Sequence, residues 1–300
     1  IRNCYLKGLD IVMNTRNTAT ISAILAALLY ALNIPVSKLL LECVQPTMMA
    51  AFLYLGAGTG LFLYDKVTGS KEKAEPLTKA ELPYTLGMIL LDIAAPILLM
   101  LGLQYTNAAN AALLNNFEIV ATSLIAFFIF REVISNQLKA AILLVTAASV
   151  ILSFEGAGSF TFNVGSLFVL GAACCWGFEN NCTRMLSNKS SVQITTVKGI
   201  FSGLGSLIVA MMMGESLPDA VQIALISGER LPAMHWAFAV MVLGFVAYGL
   251  SINFYIKAQK ELGAAKTSAY YSLAPFLGVV FGFVLLRERP GIQFYAGLAV

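Results

Sequence analysis

Apolar runs long enough to cross a lipid bilayer fill most of this 300-residue sequence, and they constrain its fold more than any other feature. About 20 residues of α-helix span a hydrocarbon core about 30 Å thick, so a run of about 18 or more apolar residues indicates a transmembrane helix. Only 12% of the residues are charged, against about 25% in a soluble domain. The sequence therefore predicts an integral membrane protein.

The apolar runs predict ten transmembrane helices in two sets of five. The first set comprises Thr20–Leu41, Gln45–Tyr64, Leu82–Tyr105, Ala108–Phe130 and Leu138–Phe154. The second set comprises Val164–Leu186, Val192–Met213, His235–Lys257, Leu262–Leu286 and a helix that begins at Ile292. The stretch Phe154–Asn163, which contains glycine and serine, is the expected hinge between the two halves.

The two sets align as an internal repeat. A shift of 156 positions lays Phe130-Arg131-Glu132 on Leu286-Arg287-Glu288, and a shift of 146 lays Tyr30 on Trp176 and Asn33 on Glu179. Because each unit has an odd number of helices, the second unit must lie inverted in the membrane, as in many secondary transporters. We predict an all-α polytopic membrane protein of ten transmembrane helices, arranged as two inverted five-helix repeats at residues 20–154 and 164–300.

The ends of the sequence lead to three further expectations. Residues 1–19 are expected to form a cytoplasmic N-terminal segment. Met13 is a candidate start, so residues 1–12 are a candidate non-native extension. The sequence stops at Val300 inside an apolar run, which predicts that the last helix is truncated.

The lysines and arginines predict the orientation, because cytoplasmic loops carry an excess of them. With a cytoplasmic N-terminus, the outer segments contain Arg230, Arg287 and Arg289. The inner segments then contain Arg2, Lys7, Arg16, Lys66, Lys71, Lys73, Lys79, Arg131, Lys139, Arg184, Lys189, Lys257, Lys260 and Lys266. A bias of 14 to 3 places the N-terminus inside, in a multi-pass protein of the plasma or inner membrane.

Several other function classes find little support in the sequence. The net charge of +3 is spread over the loops, which argues against a nucleic-acid partner. The five cysteines lack the spacing of metal ligands, and the one histidine, His235, is expected to be structural. The chain has no ATP-binding loop. We predict no catalytic residue, metal ion or cofactor.

Polar side chains at membrane depth are costly, so each is a candidate functional residue. Asp92, Glu118, Glu179 and Lys198 lie inside predicted helices, and other polar or aromatic residues accompany them at helical spacing. The candidate substrate-binding residues are Tyr30, Asn33, Asp92, Asn115, Glu118, Trp176, Glu179, Tyr248 and Tyr271. The alternative interpretation is that such groups join helices by hydrogen bonds. For Lys198, an ion pair with Glu179 is favoured over substrate binding.

We expect Glu118 to be the single position most sensitive to substitution. It lies about halfway along the predicted fourth helix, where a bare carboxylate must be paired or take up a proton. The amide of Asn115, one turn away, is its expected hydrogen-bond partner. Its repeat mate is Ala274, so the charge occurs in one half only. We predict that Glu118 carries a proton or binds a cationic group of the cargo.

Small residues and prolines predict where helices meet and bend. The pairs Gly56/Gly60, Gly199/Gly203 and Gly278/Gly282 permit close helix approach, within the chain in preference to a homodimer interface. Pro35, Pro96 and Pro275 are expected to interrupt helical hydrogen bonds at mid-membrane.

The ordered motifs of both halves resemble the EamA-type members of the drug/metabolite transporter superfamily. The resemblance rests on Asn110-Ala-Ala-Leu-Leu-Asn-Asn-Phe-Glu118 running to Arg131-Glu132, and on Ser268-Ala-Tyr-Tyr-Ser-Leu-Ala-Pro275 running to Arg287-Glu288. Tyr30-Ala31 and Trp176-Gly177 fit as well. The resemblance implies ten helices as five plus five and a cargo of amino acids, sugars, nucleotide derivatives or drugs.

Together these features favour a secondary active transporter of small metabolites, an exporter that works by alternating access. Its expected partners are a small-molecule substrate, the lipid bilayer and a proton or other coupling ion. One alternative is a membrane-embedded enzyme, which would need a metal or His-Asp cluster at a helix end. The other is a channel or a non-transporting receptor, and a channel would need an unbroken polar pore.

Overall fold

A computed structural model describes much of the chain and is entirely helical in its regular elements. The described residues are 2–69, 77–129, 131, 136–153, 163–186, 189–215, 236–262, 267, 270–271, 273–287 and 292–299. Six of the helical segments are long and apolar enough to cross a membrane. These are Asn17–Leu40, Pro46–Thr68, Lys79–Tyr105, Ala108–Phe128, Ser191–Met212 and Trp236–Ala258. The chain is therefore a multi-pass membrane protein.

The helices of the N-terminal half, in chain order, are α1 to α7. They are α1 (Arg2–Ala31), α2 (Asn33–Leu40), α3 (Pro46–Thr68), α4 (Leu82–Tyr105), α5 (Ala108–Leu114), α6 (Phe117–Phe128) and α7 (Asn136–Ser153). A single 3₁₀ turn, Lys79–Glu81, precedes α4. The apolar pattern predicted α4 residue for residue, whereas α1 begins at Arg2 and not near Thr20.

In the described part of the C-terminal half, the helices that we number are α8 to α13. They are α8 (Val164–Met185), α9 (Ser191–Met212), α10 (Trp236–Gly244), α11 (Ser251–Leu262), α12 (Ala274–Leu286) and α13 (Ile292–Ala299). A π-helical turn, Phe245–Leu250, joins α10 to α11. The predicted helix start at His235 lies outside the described residues, as do 263–266, whereas α11 extends to Leu262, past the predicted end at Lys257.

Two helices that were predicted as continuous are interrupted at mid-membrane. The first breaks at Leu32, between α1 and α2, because the ring of Pro35 clashes with the carbonyl four residues earlier and Pro35 has no N–H to donate. The fourth breaks at Asn115–Asn116, where the N–H groups of Asn116 and Glu118 bond three residues back (3.1 Å each). By contrast, Pro96 lies within the continuous helix α4: it removes one helical hydrogen bond, because it has no N–H, but it does not end the helix.

The helices α3 and α9, which the repeat pairs with each other, run antiparallel in direct contact. Gly58 faces Gly199 and Ile200, and a Cβ added at Gly58 would lie 2.6 Å from the Ile200 nitrogen. Further along, Gly203 faces Leu55. At the end of the pair, the Glu215 carboxylate accepts the N–H groups of Thr47 (3.1 Å) and Met48 (2.7 Å) at the start of α3. Along this contact the residue numbers on α9 fall as those on α3 rise, so the two helices point in opposite directions.

The other helix contacts also occur in pairs, so that a contact in one half has an equivalent in the other half. α4 packs extensively on α8, and the equivalent contact in the other half is that of α11 with α1. α5, in the predicted fourth helix, packs against α12, in the predicted ninth helix that is its repeat mate, and α7 packs against α13. The predicted glycine positions are used inside the chain: Gly56 lies against the backbone of Met241, and Gly278 lies near Ala112.

The ends of the fourth and ninth predicted helices share an unusual backbone conformation. Arg131 (φ 56°) and Arg287 (φ 51°) are the non-glycine residues with positive φ among the described residues. These two residues are repeat mates at the 156-residue shift, so the two repeats share this strained, positive-φ conformation of the backbone.

Candidate functional site

A buried ion cluster joins α4, α8 and α9. The ammonium of Lys198 lies 3.1 Å from Oδ2 of Asp92 and 3.0 Å from Oε1 of Glu179. Asp92 is fully buried, and Glu179 and Lys198 are 1% and 9% exposed. Buried charges are stable only when they are paired, so this cluster explains how two carboxylates persist at membrane depth. The pairing of Lys198 with Glu179 was predicted; the contact with Asp92 was not.

Hydroxyl groups extend the ion cluster. The Thr183 hydroxyl donates to Oε1 of Glu179, one turn earlier on α8. The Tyr54 hydroxyl donates to Oδ1 of Asp92 at 2.9 Å. We call Asp92, Glu179, Thr183 and Lys198 the charged cluster. Counting both carboxylates as ionised, it carries one excess negative charge.

A second buried cluster, without charged residues, joins the first and eighth predicted helices. The Asn33 amide donates to the Tyr248 hydroxyl at 2.9 Å. The Ser37 hydroxyl donates to Oδ1 of Asn33 at 3.2 Å. We call Asn33, Ser37 and Tyr248 the neutral cluster; Tyr248 lies in the π-helical turn between α10 and α11.

Tyr54, on α3, connects the two clusters and was not predicted. Besides its bond to Asp92, its hydroxyl accepts the indole N–H of Trp176 at 3.2 Å. Its ring lies 5.3 Å from the Tyr248 ring, centroid to centroid. The helix α3 contributed no candidate to the sequence prediction, because a tyrosine among apolar residues, such as Tyr54, is normally a packing residue. Only its position opposite the other helices reveals its function as a bridge.

Aromatic rings line the space beside the neutral cluster. The ring of Tyr30 lies 5.9 Å from that of Tyr248, edge to face, and 5.6 Å from that of Tyr271. The Asn115 amide donates to the Tyr30 hydroxyl at 3.2 Å. Tyr255 packs edge to face on Tyr271 at 4.9 Å. The predicted residues of four different helical segments therefore meet at Tyr30.

Glu118 lies at the start of α6, immediately after the break in the fourth helix. Its Oε1 accepts the Asn180 amide at 2.7 Å, and the same amide is 3.3 Å from the Thr122 hydroxyl. The expected bond to Asn115 is wrong, because Asn115 turns toward Tyr30. Asn180 was missed, although it follows Trp176 by four residues on α8 and so shares its helical face.

A cavity of about 10 Å³ lies at the centre of this arrangement, lined by Tyr30, Ile34, Ala112, Asn115 and Gly278, among others. This volume has room for at most one water molecule. A larger cavity of about 380 Å³ lies at the ends of α2, α4 and α8. It is lined by Lys38, Gln104, Tyr105, Thr106, Asn107, Asn110 and Asn163. Thus the space beside the aromatic rings is almost filled, and the larger polar cavity, which we call the vestibule, shares no lining residue with it.

Every predicted binding residue therefore has a defined place. Tyr30, Asn33, Asn115, Tyr248 and Tyr271 form one contact group. Asp92 and Trp176 join this group through Tyr54, and Glu179 joins through Lys198. Glu118 lies on the other side of the break, held by α8. Among the described residues, no group of three His, Cys, Asp or Glu side chains could hold a metal ion.

These features define a class: a multi-pass helical membrane protein whose polar side chains are gathered in its interior around interrupted helices. The model of the EamA-like transporter family matches the chain twice, at residues 17–154 and 163–300. The chain belongs to the EamA-like transporter family and carries two of its repeats. It is therefore a membrane transporter, as the resemblance implied.

The relatives of the chain carry transporter names. It is 28% identical over 284 residues to an uncharacterized transporter of Methanothermobacter thermautotrophicus, covering 89% of this chain and 79% of that protein. It is 22% identical to the uncharacterized transporter YetK of Bacillus subtilis, covering 98% and 87% of the two chains. A crystal structure with 16% identity superposes with a TM-score of 0.65 over 94% of this chain and 93% of its own, which shows a shared fold.

Proposed function

We propose that the chain is a secondary active transporter of small polar or amphipathic metabolites that works by alternating access. Its ten transmembrane helices form two inverted five-helix repeats, at residues 20–154 and 164–300. The observation that carries this proposal is the antiparallel contact of α3 with its repeat mate α9 at Gly58 and Gly199. Inverted repeats allow the halves to exchange conformations, which opens a central site to each side of the membrane in turn.

The substrate site is proposed to lie at the cluster of predicted residues around Tyr30. Two observations support this position. The breaks at Leu32 and at Asn115–Asn116 flank the small cavity, and discontinuous helices typically form the binding sites of such transporters. The site also combines aromatic rings with a few polar groups, which is the usual composition of a small-molecule site.

The orientation, direction and energy source of transport are also proposals. The excess of lysine and arginine on one side supports a cytoplasmic N-terminus in the plasma or inner membrane. We propose export, driven by a proton or another ion. In this orientation the 380 Å³ vestibule faces outward.

A cysteine placed in the small central cavity tests alternating access without knowledge of the cargo. Ala112, which lines the cavity and is 1% exposed, is replaced by cysteine in a chain whose native cysteines are serines. We expect an impermeant maleimide to label Ala112→Cys from either membrane face in separate experiments. As controls, Val67→Cys should label from the cytoplasm only and Met213→Cys from outside only, since both side chains are exposed at helix ends.

Closing one side should then promote opening of the other. Glu81 and Lys189, 3.1 Å apart, form an ion pair between the start of α4 and the start of α9. Cysteines at both positions are cross-linked with a short bifunctional reagent before labelling. We expect cytoplasmic labelling of Ala112→Cys to fall at least tenfold and outside labelling to become faster. Unchanged outside labelling would instead indicate a channel with independent gates, and labelling from one face only would exclude alternating access.

A further inference from the structure

Asn115 presents an unused hydrogen-bond acceptor to the central cavity. Its side chain lines the cavity and the residue is 5% exposed. Its amide nitrogen donates to Tyr30, but its Oδ1 has no hydrogen-bond partner. A buried carbonyl oxygen without a donor is unfavourable, so this atom favours a ligand that brings an N–H or O–H group. A carbonyl or carboxylate of a ligand would be repelled there.

Glu118 adds a negative charge close to this acceptor along the chain. It follows Asn115 by three residues, across the break between α5 and α6. Among the described residues it forms no ion pair, and its hydrogen bond comes from the neutral amide of Asn180. Lys198, the basic residue at this depth, is already shared by Asp92 and Glu179. Among the described residues, the buried carboxylates of Asp92, Glu179 and Glu118 therefore outnumber the ammonium of Lys198, and Glu118 has no ion-pair partner.

Tyr30, which lines the cavity beside Asn115, belongs to a group of aromatic side chains. The ring of Tyr30 contacts the rings of Tyr248 and Tyr271, which lie next to the cavity lining. The faces of such rings attract cations and also pack well against flat apolar groups. These properties suit a ligand with a positively charged end and a planar body.

We propose that the cargo is a primary amine with a planar apolar body and without a carboxylate. This inference rests on the proposed function. The ammonium donates one N–H to Asn115 Oδ1 and another to the Glu118 carboxylate, while the body packs among the tyrosine rings. An ammonium satisfies both acceptors and neutralises the carboxylate, whereas a carboxylate on the cargo would find no unpaired lysine at this depth among the described residues. Binding requires the 10 Å³ cavity to widen, and the adjacent helix breaks are where the backbone can move.

Three indole compounds of matched size test the charge requirement: tryptamine, tryptophol and indole-3-propionate. Binding to the purified full chain is measured by calorimetry and by ligand-induced thermal stabilisation. We expect tryptamine to bind at least tenfold more tightly than tryptophol, and indole-3-propionate to be the weakest. Equal or tighter binding of tryptophol or indole-3-propionate, or no binding of tryptamine, would overturn the amine assignment.

Substitutions of Glu118 and Asn115 test whether these two hydrogen-bond acceptors cause the preference for an ammonium group. Glu118→Gln should weaken tryptamine at least tenfold, since a hydrogen bond to a charged group is replaced by a neutral one, and should leave tryptophol nearly unchanged. Glu42→Gln, at an exposed position after α2, is the matched control and should not alter binding. If Glu118→Gln does not fold, Asn115→Asp provides the test, because a second carboxylate should increase the preference for tryptamine over tryptophol. An unchanged preference overturns the proposal. The labelling test of alternating access needs no cargo, so the two proposals can fail separately.

Discussion

The charged cluster and the neutral cluster occupy equivalent places in the two repeats. Asn33 corresponds to Glu179, Ser37 to Thr183, and Tyr248 to Asp92. The local geometry is retained, since Ser37 donates to Asn33 and Thr183 donates to Glu179, each across one helical turn. What differs is charge. The repeat therefore preserves the positions of the hydrogen-bonding groups, while their chemistry has diverged.

The helices that carry the two clusters differ as well. The charged cluster lies on α4, α8 and α9, which are continuous. The neutral cluster lies on the helix broken at Leu32 and on the π-helical turn Phe245–Leu250. Ion pairs between regular helices fix their relative positions, whereas breaks and π-turns leave backbone groups that can rearrange. We infer that the charged side is the rigid frame of the site and the neutral side is the part that moves.

The largest expected effect comes from removing the cation of the charged cluster. Lys198→Met leaves the buried carboxylates of Asp92 and Glu179 without their partner, and we expect a loss of about 3–5 kcal/mol in stability. The measurement is the thermal unfolding of the purified protein in detergent, together with the yield of folded protein.

The compensated variant distinguishes charge from packing. Lys198→Met combined with Asp92→Asn and Glu179→Gln removes all three charges, and should recover most of the lost stability. If the triple variant is as unstable as Lys198→Met alone, the Lys198 side chain matters for its packing and the charged cluster is not held by ion pairing.

Substitution at the crossing of α3 and α9 should cause the next largest loss of stability, because this crossing fixes the positions of the two clusters relative to each other. A Cβ at Gly58 would lie 2.6 Å from a backbone nitrogen of α9, so Gly58→Ala should cost about 2 kcal/mol of stability by forcing the helices apart. Gly171→Ala is the matched control, because its Cβ would meet a Leu98 side chain at an ordinary 3.5 Å. Equal unfolding temperatures for the two variants would show that the crossing is not tightly packed.

We expect a smaller interaction energy for the hydrogen bond within the neutral cluster. Asn33→Ala, Tyr248→Phe and the double variant form a cycle that isolates their hydrogen bond, and we expect a coupling of about 0.6 kcal/mol, as is usual between membrane helices. The unfolding free energies of the four proteins give the coupling. A value as large as that of the charged cluster would remove the energetic distinction between the two clusters.

The helices and the repeat could be predicted because their signals are local or periodic. Apolar runs gave the span of α4, and two simple shifts paired Tyr30 with Trp176 and Asn33 with Glu179. Helical stripes also marked the polar face of each helix, and the predicted residues Tyr30 and Asn115, on two such faces, meet in the structure. The prediction of these site residues for substrate binding stays a prediction until a ligand is tested.

The remaining features depend on contacts between distant segments. Tyr54 joins the two clusters only because α3 crosses α9 and lies beside α4, which a single helix pattern does not encode. The partner of Glu118 is Asn180 because the break after Leu114 reorients the start of α6. Proline predicted the break near Pro35 but not the one at Asn115–Asn116, and Pro96 produced none.

The smallest expected effect concerns a feature that the two repeats still share. Arg131 and Arg287 both adopt positive φ and are exposed, so a glycine at either position should relieve backbone strain. Part of this gain is cancelled by the greater freedom of glycine in the unfolded chain, leaving a stabilisation of about 0.5 kcal/mol at each site. Arg131→Ala and Arg287→Ala are the controls, since alanine removes the side chain but retains the strain. At each site we compare the unfolding free energy of the glycine variant with that of the alanine variant, and we expect this difference to be equal at the two sites. Substitutions in the charged and the neutral cluster, by contrast, are expected to change the stability by different amounts. A gain at one site only would show that the repeats have diverged in their backbone as well as in their charge.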